Sequence, residues 1–120
     1  MNEQVVRLRV TVTVNEGQLD AFKGIAREMV AGAEMESGTL GYEWFSDANE
    51  KSFTLLETYE NVAAVEAHFM GRVVGELVPK LAAHVTITGL EFYGDPGPKV
   101  TEMAAGFGAV HFPYWNGMNR

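Results

Sequence analysis

Val5–Val14 reads VVRLRVTVTV, and its alternation is the most regular in the chain. Val6, Leu8, Val10, Val12 and Val14 share one face, and Val5, Arg7, Arg9, Thr11 and Thr13 the other, as successive side chains of a strand do. Asn15-Glu16-Gly17 turns the chain, and the period then changes. Leu19, Phe22, Ile25, Ala26, Met29, Val30 and Ala33 repeat at helical spacing, with Asp20, Lys23, Arg27, Glu28 and Glu34 opposite. That pattern predicts a helix from about Gln18 to about Met35, with Gly38 as a left-handed stop behind it. Alternation returns in Leu40–Phe45, with Leu40, Tyr42 and Trp44 on one face and Gly41, Glu43 and Phe45 on the other. It returns again in Phe53–Tyr59, where Phe53, Leu55, Glu57 and Tyr59 oppose Thr54, Leu56 and Thr58. Asn61 fits a helix N-cap. Val62, Val65 and Phe69 form the following helical stripe, and His68 lies on its flank. Gly71 interrupts, an apolar helical pattern resumes at Val73, and Pro79 divides it into two short pieces. Val85–Tyr93, VTITGLEFY, is a fourth strand, stopped by Gly94-Asp95-Pro96-Gly97-Pro98.

The order strand, helix, strand, strand, helix, strand is the split βαβ arrangement of ferredoxin-like α+β folds, with four antiparallel strands and helices on one face. The open face would carry Arg7, Arg9, Thr11, Thr13, Glu43, Phe45, Leu56 and Thr58. That mixture of apolar and charged groups is poorly suited to water alone. The body is expected to span residues 1–94 and a C-terminal extension 95–120. The extension is rich in rings, with Phe107, Phe112, Tyr114 and Trp115, whereas a disordered tail should be polar and poor in them. Pro98 opens a short helix that Gly106 or Gly108 ends. Val110–Tyr114 is extended in character, though Pro113 bars it from the centre of a sheet. The extension is therefore expected to dock, either crossing to a partner subunit or closing one end of a pocket. In that position His111 or Trp115 could reach the site, although packing alone explains both.

At 120 residues, 47% hydrophobic and 21% charged, the chain has the size and composition of one globular domain. A net charge of −7 argues against phosphate-backbone binding, so no nucleic-acid partner is expected. There is no cysteine, hence no disulfide, thiolate nucleophile or cysteine-ligated metal. The start lacks a signal-peptide pattern and no apolar run approaches a membrane span. The expectation is a cytoplasmic protein without a membrane partner. Dinucleotide, phosphate-loop, zinc-protease and nucleophile-elbow motifs are all absent.

His68, Glu57, Tyr59, Tyr42 and Trp44 converge on the helix side of the sheet. His68 is a proton shuttle or else a histidine held by a carbonyl. Glu57 is a carboxylate on an otherwise apolar strand face. It is a general base, a group orienting His68, or half of a structural pair with a buried tyrosine. Tyr59, Tyr42 and Trp44 share that face and together suit a flat aromatic ligand, although each alone is also ordinary core. Arg7 and Arg9 could meet an anionic substrate, or pair with Glu43 or Glu60. His84 falls at a helix C-terminus, where an imidazolium complements the dipole.

Glu57-Thr58-Tyr59 closing an apolar strand, a short turn, and Ala67-His68 on the next helix resemble the signature of antibiotic-biosynthesis-monooxygenase-like domains. Glu36-Ser37-Gly38-Thr39-Leu40-Gly41-Tyr42 is similar to that family's segment between first helix and second strand. The resemblance covers roughly Val5 to Tyr93. It implies two ferredoxin-like sheets meeting face to face as a homodimeric α/β barrel. It also implies cofactor-independent oxygenation of an electron-rich aromatic or quinol-type molecule, with no metal and no cofactor. His68 would move the proton, Glu57 would orient or assist it, and Tyr59, Tyr42 and Trp44 would wall the pocket. Relatives often carry a second histidine a turn later, where this chain has Phe69-Met70-Gly71-Arg72. The haem-degrading relatives share a strand-one asparagine and a strand-three tryptophan. Here Val10 and Tyr59 take those places, which disfavours haem. The alternatives are an acid–base isomerase or lyase of a small metabolite, and a dimer that binds a small molecule without turnover.

Overall fold

The computed structural model describes residues 4–120. The strands are β1 (Val6–Val14), β2 (Thr39–Ser46), β3 (Ser52–Tyr59), β4 (Val85–Tyr93) and β5 (Val110–Phe112). The helices are α1 (Leu19–Glu34), α2 (Val62–Phe69), α3 (Val78–Ala82) and α4 (Pro98–Ala104). The arrangement is ferredoxin-like α+β with one correction. The sheet has five strands rather than four, in the order β2-β3-β1-β4-β5, and β5 joins β4 in parallel. Three exposed residues ending against Pro113 carry little strand signal, and their place at the sheet edge comes from pairing with Glu91–Tyr93.

The central strand makes the fold. Val6, Leu8 and Val12 of β1 are buried, while Arg7, Arg9 and Thr13 between them are exposed. Register then stacks like with like across the sheet. Leu8 stands opposite Glu57, and Glu57 opposite Tyr42; one step along, Val10 faces Leu55, and Leu55 faces Trp44. The helices cover this side in two clusters. Phe22, Ala26 and Met29 of α1 pack with Val12, Phe53, Leu77 and Leu81, and Val65 and Phe69 of α2 pack with Val6, Leu8, Tyr59 and Phe92. Val100 and Ala104 of α4 complete the second cluster, so the extension rests on the body through two fully buried side chains.

Several local expectations change. Leu40 was placed beside Tyr42 and Trp44, but the β2–β3 register slips between Thr39 and Gly41 and leaves Leu40 as a bulge residue, 58% exposed. Gly38 is not left-handed. Helix α1 ends earlier, at Met35 in a right-handed conformation. What Gly38 provides is closeness, since a Cβ there would lie 2.5 Å from Ala64 Cβ on α2. The left-handed stop lies in the extension, at Gly108 with φ +69°, after a 3-10 turn over Ala105–Phe107. Pro79 falls in the first turn of α3, and a π-helical turn, Val73–Leu77, leads directly into it. The wide turn accommodates a residue that has no N–H and crowds the carbonyl four positions before it. Arg9 pairs with Glu91 at 3.2 Å, and not with Glu43 or Glu60, because β4 is its cross-strand neighbour on that face. Asn61 caps α2 as expected, accepting from the Ala64 N–H at 2.9 Å.

Candidate active site

Three elements bring the polar groups together. Strand β3 fixes Glu57 and, two residues on, Tyr59 on the same face. Helix α2, started by Asn61, carries His68 back over the sheet. The turn after α1 brings in Glu36. The His68 ring is buried, and each of its nitrogens faces a carboxylate. Nδ1 lies 2.8 Å from Glu36 Oε1, and Nε2 lies 3.6 Å from Glu57 Oε1. Tyr59 donates its hydroxyl to Glu57 Oε1 at 2.5 Å, and Thr39 donates to Glu36 Oε1 at 2.7 Å. The imidazole is gripped by rings as well, with centroids 5.0 Å from Tyr59, 5.6 Å from Tyr42 and 6.0 Å from Phe69.

The two carboxylates differ in setting. Glu57 is buried among apolar groups, and that loss of water pushes its carboxyl above the ordinary 4.5. Attraction to His68 and the Tyr59 hydrogen bond pull the other way, and the neighbouring Glu36 adds to the rise. Burial, with Glu57 and Glu36 close by, also pushes both Tyr42 and Tyr59 far above the ordinary phenol value of 10. These phenols are hydrogen-bond donors and not bases. The Glu36 side chain, by contrast, is 21% accessible against 2% for His68. A carboxylate accepting from Nδ1–H fixes the tautomer, and so presents Nε2 as the free acceptor.

Beside this cluster a small cavity of about 90 Å³ runs between sheet and helices and opens to the surface. Glu57, His68 and Tyr42 line one part of it. Most of the rest is aliphatic, with Val10, Leu55, Val74, Ile87 and Leu90 among the walls, and no lysine or arginine borders it. Trp44 lines it too. Its Nε1 is buried without an acceptor among the described residues, and its ring meets Phe22 edge-on at 5.3 Å. Phe107 of the extension completes the lining, so the extension does contribute to one side of the pocket.

Of the residues singled out in the sequence, His68, Glu57, Tyr42 and Trp44 border the cavity. Tyr59 does not, being wholly enclosed behind Glu57. His111 stacks flat on Phe92 at 5.0 Å, Trp115 is 89% exposed, and neither is among the cavity's walls. His84 is held by Gln18 through Nδ1 at 2.6 Å. Glu36 is not among the candidates that the sequence singles out, although it opens the segment similar to the family's. It lies just past the end of α1, in the turn leading to Gly38, whose closeness to Ala64 draws that turn against α2. Among the described residues no group of three histidine, aspartate or glutamate side chains is arranged to hold a metal ion.

Fold and site together define a small-molecule pocket domain in which a ferredoxin-like sheet and its helices enclose an imidazole between two carboxylates. The family model for antibiotic biosynthesis monooxygenase matches residues 5–78, and the chain belongs to that family. Among solved structures it is similar to MupZ from Pseudomonas fluorescens, at 18% identity and TM-score 0.82 over 98% of this chain and 96% of that one. It is also similar to a protein of Bacteroides thetaiotaomicron described as of unknown function and a possible oxidoreductase. That match has 25% identity and TM-score 0.69, over 75% of this chain and 96% of the other. A structure described as an antibiotic biosynthesis monooxygenase matches at 22% identity and TM-score 0.65, over 78% of this chain and 99% of that one. Only the MupZ alignment of these three is long enough to take in most of the extension. No curated protein sequence matches the chain.

Proposed function

We propose that the protein is a cofactor-independent monooxygenase that acts on an uncharged, electron-rich aromatic or quinol-type molecule and starts the reaction by proton abstraction at His68. The observation that carries this reading is the imidazole held by Glu36 at Nδ1, with Nε2 beside Glu57 and both residues lining a pocket that no lysine or arginine borders. A substrate phenol in its keto form presents an acidic ring CH₂. His68 Nε2 takes one proton, and the Tyr42 hydroxyl stands near the developing oxyanion as a donor. The delocalised carbanion gives one electron to O₂, and the radical pair joins as a C–O–O bond. Protonation and loss of water then leave a carbonyl, so that CH₂ and O₂ become C=O and H₂O. The four electrons come from the substrate and no external reductant is required. The family name supports oxygen as the oxidant, and the dry walls suit a reactive anion that water would quench. Tyr42 and Trp44 are the aromatic walls of this pocket, with Tyr59 acting through Glu57.

A second reading is favoured by one observation. A buried carboxyl, pushed upward by its loss of water, lies 3.6 Å from a ring nitrogen and so places two acid–base groups side by side, as an isomerase or lyase uses them. Oxygen separates the two. With 1,4-dihydroxynaphthalene as probe, the oxygenase consumes O₂ without added cofactor above the uncatalysed rate and is idle under argon. Conversion at equal rate under argon supports the second reading, and thermal stabilisation without product would reduce the protein to a binder.

The site also needs its sheet covered. Phe45, Leu56 and Tyr93 lie 50%, 41% and 37% exposed on the face away from the helices, beside Arg7 and Arg9. We infer that a second copy packs there, giving a homodimer. No helix among the described residues is long and apolar enough to cross a membrane.

A further inference from the structure

A base buried in an apolar pocket can exchange its proton with water only along a polar route. At His68 the surroundings leave few. Its ring is enclosed, Nε2 lies 3.6 Å from Glu57, and both residues line the cavity, whose mouth a bound substrate would occupy. Glu57 lies behind it, and the only group bonded to that carboxyl is Tyr59, which is entirely buried. Nδ1 meets Glu36 at 2.8 Å, and of the two carboxylates beside the ring Glu36 is the one that water reaches, 21% accessible against 5% for Glu57. Thr39 and His68 both use its Oε1, while Oε2 has no partner among the described residues. One carboxylate thus touches the buried imidazole with one oxygen and is open to solvent with the other.

We propose that Glu36 is the positioning residue of this site and also its proton outlet, carrying the proton between His68 Nδ1 and bulk water. The inference rests on reading His68 as the proton-transferring group. In each cycle Nε2 gains a proton from the substrate, Nδ1–H passes its own to Glu36, and Glu36 gives it to water. His68 is then neutral in the other tautomer, and returns to the first when a proton comes back through Glu36 and the Nε2 proton goes to the product. The substrate anion then carries the pocket's one negative charge until the proton returns, and substrate can stay seated while protons move on the far side of the ring.

Glu36→Gln separates orientation from transfer. The amide oxygen can still accept from Nδ1–H and hold the ring, but the group cannot carry a proton. The measurement uses the substrate-free protein labelled with ¹⁵N-histidine, with His68 assigned by the loss of its signals in His68→Gln. Wild type is expected to show the Nδ1–H tautomer with rapid exchange of that proton with water. Glu36→Gln is expected to keep the tautomer while exchange slows roughly 10²-fold, the scale of a lost acid–base group. Added sodium formate, a diffusible carboxylate, should restore part of the rate. If Glu36→Gln does not fold, Glu36→Asp withdraws the carboxylate by one methylene and should slow exchange as well, again with formate rescue. Exchange at the wild-type rate in either folded variant overturns the proposal, because solvent would then be reaching His68 through the cavity. Since no substrate is present, the outcome is independent of oxygenation. A wild type with the relay but without O₂ uptake would sink the proposed reaction and leave the outlet standing.

Discussion

The chain contains the same short motif twice, with opposite consequences. Glu57-Thr58-Tyr59 ends β3 and Glu91-Phe92-Tyr93 ends β4, and in both the tyrosine hydroxyl donates to the glutamate two residues before it. The first pair faces the helices. Burial dominates there, and the carboxyl is pushed up above its ordinary value. The second pair faces away. The hydrogen bond from Tyr93 dominates, burial opposes it weakly, the Arg9 guanidinium helps, and the carboxyl is pulled down. The same Glu-x-Tyr hydrogen bond thus accompanies a carboxyl pushed upward on one side of the sheet and one pulled downward on the other. What separates them is the low dielectric supplied by α1 and α2, so reactivity here is a property of the face and not of the motif.

The comparison can be strained at its strongest point through two adjacent leucines. Leu55 is 2% exposed on the helix side and Leu56 is 41% exposed on the other. Leu55→Ala should lower unfolding stability by about 2–5 kcal/mol in a denaturant titration, from lost transfer energy and the cavity left behind. Next comes the tyrosine of each pair. Tyr59→Phe leaves a buried carboxyl oxygen without its donor and should cost about 1–3 kcal/mol by the same measurement. Tyr93→Phe, on the face away from the helices where water can reach the glutamate, should shift the unfolding curve far less. Equal losses in the two variants would mean that burial is not what distinguishes the pairs.

The acid itself supplies a pH signature. An unfolded Glu57 titrates near its ordinary 4.5, whereas the folded one holds its proton to higher pH. Over that window the folded state binds more protons, so stability falls as pH rises from about 4.5 through the folded value. Glu57→Gln keeps an acceptor for Tyr59 and does not titrate. Its melting temperature relative to wild type should therefore climb with pH across the same window. Glu91→Gln should show no such climb, because its folded carboxyl is shifted the opposite way. The smallest effect on the fold belongs to Leu56→Asp. The proposed pairing of two sheets predicts that it leaves the subunit folded and converts the dimer to monomer in light scattering. An unchanged dimer mass would place the interface elsewhere.

Strong periodicity made the body legible. Alternation in Val5–Val14 fixed which residues of β1 are buried, and Asn61 marked the start of α2 by a bond that a side chain makes within its own turn. What escaped were features decided by distant neighbours. Leu40 leaves its expected face because β2 must slip one residue against β3. Gly38 is needed for its closeness to Ala64, a contact 26 positions away in sequence and invisible to turn rules. Strand β5 exists because Glu91–Tyr93 offers an open edge. At the site, His68 and Glu57 declared themselves as polar groups in apolar patterns. Glu36 lies in a polar turn where a glutamate is unremarkable, so nothing local marks it, and only the fold brings it to within 2.8 Å of Nδ1.

The central claim is that His68 moves a proton on the helix side of the sheet. It is tested most directly by deuterium incorporation into 2-tetralone, an apolar enolisable probe, in D₂O under argon, where oxygen chemistry cannot contribute. Wild type and Glu91→Gln should exchange the acidic C–H positions at matching rates above buffer. Folded His68→Gln should be slower by roughly 10²–10⁴-fold. Exchange by His68→Gln at the wild-type rate would contradict the account.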